Sequence, residues 1–232
     1  MALPPITDTF SAQWQGSIIG SQNSVYSTAR NAASGTAFNY TTSTSANSAI
    51  YVQYFTQKGV GYYRVNRSFL RFDVSAVSGT VTAATLKVPG VTYGSSDVIV
   101  VKSDAFTGVG NTLVGADFDN LDFTQAYSSE VTTWNLGSYN NISLNDGAKT
   151  DIANDSYLTV ALIDHDYDFL NVSTTTNPRA GILFADGTDE ILLEVSWYEG
   201  GGGGPSFNIN GVSVIGSING VEAASIGGGN GL

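Results

Sequence analysis

Between positions 65 and 88 the chain reads V-N-R-S-F-L-R-F-D-V-S-A-V-S-G-T-V-T-A-A-T-L-K-V, and no other stretch narrows the fold as far. Leu70, Phe72 and Val74 alternate with Arg71 and Asp73. After Ser78-Gly79, a turn signal, Ala84, Leu86 and Val88 alternate with Thr85 and Lys87. A period of two sends neighbouring side chains to opposite faces of a strand, so each apolar set needs a second layer to cover it. The pattern predicts two half-buried strands. Further strands are expected at 25–30, 49–55, 62–65, 98–102, 158–163, 181–184 and 191–198, separated by clusters of Gly, Ser, Asn and Asp. Helical periodicity is almost missing, with one short helix expected at 145–153 behind an Asn145 N-cap. The expectation is an all-β antiparallel sandwich over residues 7–199, with Leu70, Phe72, Leu86, Leu158, Val160, Leu193 and Val195 in its core.

The segment 67–88 resembles the R-S-F-L-R-F-D-L-S, Gly turn, V-x-x-A-T-L-x-L pattern of DNRLRE-type domains. Asp8-Thr9 is similar to that family's opening strand, Trp134-Asn135 with Gly137 to its W-x-x-G region, and I-L-L-E-V-S-W-Y at 191–198 to its closing strand. The resemblance implies a jelly roll related to disaggregatase-like and alginate-binding carbohydrate modules. It carries over packing residues and no catalytic ones.

A chain of 232 residues with 42% hydrophobic content is long enough to bury a full core. Its net charge is −11, with 9 Lys and Arg scattered among 20 acids. Binding a phosphate backbone requires clustered cations, so neither nucleic acid nor an anionic membrane is an expected partner. No cysteine is present, which removes thiol catalysis and thiolate metal sites. The first residues, M-A-L-P-P-I-T-D, have neither a basic nor an apolar region of a signal peptide, and no apolar run reaches the length of a membrane span. The expectation is synthesis in a host cytoplasm and residence on a particle surface.

Composition changes sharply at Gly200, where five glycines and Pro205 divide the sandwich from a tail at 206–232, while residues 1–6 form a short N-terminal arm. The tail repeats Ile209-Asn-Gly-Val212 and Ile218-Asn-Gly-Val221 and closes on Asn-Gly-Leu. Asn-Gly is a strong tight-turn signal, so very short strands are expected there. Ile209, Val212, Val214, Ile215, Ile218, Val221 and Ile226 are too few to form a core and form a stripe that soluble monomers do not expose. They are the expected partner-binding residues. Such I-N-G-V tails resemble the C-termini of some phage and prophage virion proteins.

Chemistry-bearing clusters are sparse. If the strand ending near Asp164 continued, Asp164, Asp166 and Asp168 would share one face and form a calcium candidate. The competing reading is a solvated acidic loop. Asp117, Asp119 and Asp122 make a weaker cluster of the same kind. His165, the single histidine, lacks the G-x-S-x-G serine of a hydrolase triad. Tyr51, Tyr62, Tyr63 and Tyr93 are candidate glycan-stacking residues, with core packing as the alternative. These observations favour a virion structural protein, either a capsid decoration protein or a fibre component, joined through its tail to other virion proteins or to identical subunits, a trimer among the expected forms. A carbohydrate-binding module for a host-surface glycan is the alternative, and a glycan-cleaving enzyme the remote third.

Overall fold

The computed structural model describes residues 4–40, 46–184, 190–199, 206–209 and 212–215. Strands take up 55% of the chain and helical turns 13%, so the fold is all-β. In chain order the strands are β1 (Ile6–Ser11), β2 (Trp14–Gly20), β3 (Gly35–Tyr40), β4 (Ala46–Gln57), β5 (Val60–Asp73), β6 (Gly79–Gly94), β7 (Val98–Ser103), β8 (Leu121–Ala126), β9 (Tyr139–Ser143), β10 (Tyr157–Asp164), β11 (Arg179–Phe184) and β12 (Leu192–Glu199). Nine of them run in the order β1-β12-β6-β11-β4-β5-β10-β7-β8; β2 joins at β5 and carries β3, and β9 joins at β6. All pairings are antiparallel.

This continuous path folds over itself. Leu70, Phe72 and Val74 of β5 and its extension, with Val98 and Val100 of β7 and Leu158, Val160 and Leu162 of β10, share one core with Ala84, Leu86 and Val88 of β6 and Leu193, Val195 and Trp197 of β12. The seven residues expected in the core are all buried. β6 is the seam between layers. Its first part pairs with β12 and β9, and beyond Pro89 it pairs with β11 at Gly90 and Gly94. The backbones come very close there: a Cβ on Gly181 would lie 1.7 Å from the Val91 carbonyl oxygen, and one on Gly90 would lie 2.0 Å from that of Asn135. The Trp134 indole N–H donates to the Gly181 carbonyl at 2.8 Å and closes this corner.

The layer holding β5, β7 and β10 is covered on its other face too. Val65, Phe69, Ile99, Val101, Ala161 and Ile163 pack there against Tyr26, Phe106, Leu113 and Phe118. That explains the unbroken apolar runs V-I-V-V at 98–101 and V-A-L-I at 160–163: strands buried on both faces lose alternation.

Two local expectations are settled differently. The expected helix is found at Asp146–Asn154 (α2), and the Asn145 side chain accepts from the Ala148 N–H as the N-cap. Residues 25–30 are not a strand: Tyr26–Arg30 form a helical turn, α1. Asn23 makes one bridge to Tyr63, and then its side chain accepts from the Val25 N–H and turns the chain out of extended geometry. Beyond the sandwich, β13 (Ser206–Ile209) and β14 (Val212–Ile215) form a separate two-stranded sheet, with Ile209 opposite Val212 across the two-residue Asn-Gly connection.

Candidate functional site

At the end of β10 the chain does not continue as a strand. Asp164 accepts from the Tyr167 N–H at 2.7 Å, and the Leu170 N–H reaches the His165 carbonyl at 3.0 Å, so His165–Phe169 wind into one π-helical turn. The period of two is lost, and the three aspartates part. Asp164 is buried and accepts from the Ser96 hydroxyl. Asp168 is fully buried, with one oxygen 2.7 Å from Arg67 Nε and the other 2.8 Å from Arg67 Nη2. Only Asp166 faces outward. Of the calcium candidates Asp164, Asp166 and Asp168, the π turn leaves Asp164 and Asp166 lining one cleft, while Asp168 is turned away from them to Arg67.

Asp166 instead joins residues distant in sequence. His165 Nδ1 lies 3.0 Å from Asp166 Oδ1 and 3.2 Å from Glu130 Oε1, and the His165 N–H donates to the Asp97 carbonyl at 2.8 Å. Glu130 is positioned by its neighbour Val131, which exchanges two backbone hydrogen bonds with Val98 at 2.8 and 3.0 Å. The Asp97 carboxyl is pushed up from its ordinary value by burial, by Asp166, and by its hydrogen bond to Glu130. Burial pushes Asp164 up to about 6. Ligand atoms of Glu130, His165 and Asp166 lie within 4.8 Å of one another, a spacing that suits a metal ion. A cleft of about 270 Å³ opens here, lined by Ser95, Asp97, Asp164, Asp166, Tyr167 and the segment 176–178.

Arg179 stands on the rim of this cleft. Its N–H donates to the Ser95 hydroxyl at 3.2 Å, and its carbonyl accepts from the Ser95 N–H at 2.8 Å. Its guanidinium lies between two of the expected aromatics, 5.4 Å from the Tyr51 ring and 5.3 Å from Tyr93. Along the same face of β4 and β5, Arg64 donates to Gln53 at 3.2 Å and sits 5.1 Å over Phe55, which stacks on Tyr62 at 6.0 Å. Tyr63, the next residue of the strand, points the other way, 5.4 Å from Tyr26 and 5.1 Å from Tyr54. Three of the four candidate tyrosines thus share one face, interleaved with arginines.

The remaining candidates take structural positions. Asp117 is fully buried and accepts from the backbone N–H groups of Phe106, Thr107 and Val114, which pins a loop, while Asp122 turns to Thr124. Ile209, Val212, Val214 and Ile215 lie on the backbone of β13 and β14, and Ile218, Val221 and Ile226 lie outside the described residues.

Glu130, Asp97, Arg64 and Arg179 were not singled out from the sequence. For Arg64 a signal exists. Lys58 and Gly59 both have positive φ, 50° and 79°, the two-residue hairpin turn that places Gln53 opposite Arg64 and Phe55 opposite Tyr62. For Glu130 and Asp97 none exists, because only the folded path brings them to the π turn. In comparisons with known proteins, no family model and no curated protein sequence matches the chain.

Proposed function

We propose that this chain is a structural component of a virion, a non-catalytic β-sandwich that joins its assembly through the C-terminal tail. One observation carries the reading. Beyond the glycine run, the chain forms the β13–β14 sheet, which among the described residues pairs with itself and with no strand of the large sheet. An isolated two-stranded sheet is marginal in water, so this element needs a partner to become stable. The apolar repeat supplies what such a partner would bury, and the likeness of I-N-G-V tails to phage virion C-termini supplies the kind of assembly.

The test is transfer. Residues 200–232 joined to a soluble monomeric carrier are expected to make it self-associate or to bring it into virus particles assembled in the same cells. A carrier that stays monomeric and is left out of the particles removes the reading.

Glycan adhesion is the second reading, and the row of Tyr51, Tyr62 and Tyr93 beside the acidic cleft favours it. It ranks second because Arg179 already lies between the Tyr51 and Tyr93 rings, so part of the stacking surface a pyranose would use is taken.

A further inference from the structure

The cations of this chain are few, and their placement is uneven. Of nine Lys and Arg residues, Arg30, Arg67, Lys87, Lys102 and Lys149 have a carboxylate within 4.0 Å. Among the described residues the other four have none, although 20 acids are present. Three of those four, Lys58, Arg64 and Arg179, belong to the β4–β5 hairpin and the cleft rim beside it. Asp97 and Asp166 line the cleft on whose rim Arg179 stands, and Glu130 joins Asp166 through the single imidazole of His165. Cations without acids border acids crowded against each other.

We propose that this face is self-complementary and docks a second copy of the chain about a two-fold axis, with Arg179 and Arg64 of each copy set against the Glu130–Asp166 cluster of the other. A patch with a cationic half beside an anionic half matches its own image after a half turn, which is what an isologous contact requires. The composition suits an interface. Tyr93 is 42% exposed and Val60 at the hairpin tip 47%, and arginine and aromatic residues are the types enriched in interface centres. Stacking on Tyr51 and Tyr93 holds the Arg179 fork in place before contact, so little side-chain freedom is left to lose on binding. A polyanionic ligand fits less well, since the same face would repel it at Glu130 and Asp166. The Asp97 carboxyl is held up by burial first, and then by Asp166 and Glu130, with His165 offsetting them in part.

Charge reversal on the full-length chain tests the pairing. Sedimentation across a concentration series is expected to show association that Arg179→Glu and Asp166→Arg each weaken at least about tenfold, because each sets like charges together at both symmetric contacts. An equimolar mixture of the two variants is expected to recover it, since each contact then pairs opposite charges again. Circular dichroism and the melting temperature of each variant establish that it is folded, and Arg64→Glu serves if Arg179→Glu is not. A wild-type chain with no such association, single reversals that keep wild-type affinity, or a mixture that fails to recover overturns the proposal. So does wild-type protein that stays monomeric and binds a heparin probe through Arg179. Association through the tail would be untouched by either reversal, so failure here is distinct from failure of the assembly reading.

Discussion

Asp168 and Arg67 meet through two hydrogen bonds, and neither side chain reaches solvent. Arg67 also donates to the carbonyls of Phe118 and Arg30, at 2.7 and 2.8 Å, and lies 4.1 Å over the Phe118 ring. Removing one partner of a buried ion pair leaves the other charge desolvated, at a cost of about 3–5 kcal/mol. Asp168→Ala is therefore expected to lower unfolding free energy by that amount in urea titrations, whereas Asp166→Ala, two residues away and facing outward, is expected to change it by less than about 0.5 kcal/mol. Asp164 behaves differently. Its carboxyl is pushed up to about 6 by burial, above the value in an unfolded chain, so the folded state takes up a proton that the unfolded state does not. Stability from this group grows as pH falls through about 6 toward 4, on the order of 2 kcal/mol. Asp164→Asn is expected to flatten that rise; an unchanged pH profile would contradict the assignment. In sequence these three aspartates look equivalent. What separates them is a π turn that no periodicity announces, and only the spacing of Val65 and Phe69 around Arg67 hints that this face of β5 is covered.

Among the elements, β6 does the most to set the shape, because it passes from one layer to the other at Pro89-Gly90. Its passage depends on backbone closeness at β11: any side chain at 181 would strike the Val91 carbonyl oxygen. Gly181→Ala is expected to destabilise the sandwich by more than about 2 kcal/mol, measured by thermal unfolding, since neither strand can move without losing its pairing. The strand pattern was legible wherever one face meets the core, as at 70–74 and 84–88. It failed at 25–30, where an aromatic and a valine suggested a strand but an Asn23 side chain starts a helical turn. It was also incomplete at the cleft, whose acids are Asp97 just before β7, Asp164 at the end of β10 and Asp166 in the π turn, with Glu130 beside them. The β13–β14 pairing, by contrast, follows from the Asn-Gly signal alone.

For the molecule as a whole, the sandwich contains both apolar clusters of the described residues, and each is built from residues between Phe10 and Trp197. It has what it needs to fold without the tail. The tail, with its run of glycines, would lose on the order of 1–2 kcal/mol of backbone freedom per residue on ordering, and an isolated hairpin does not return that. The account therefore separates folding from attachment. The most direct test is to delete residues 206–232 and follow the melting temperature and the sedimenting mass of the same preparation beside the intact chain. The prediction is a melting temperature within a few degrees of the intact chain together with loss of the higher-mass assembly or of particle incorporation. A truncated chain that assembles as the intact one does, or that no longer folds, would contradict it.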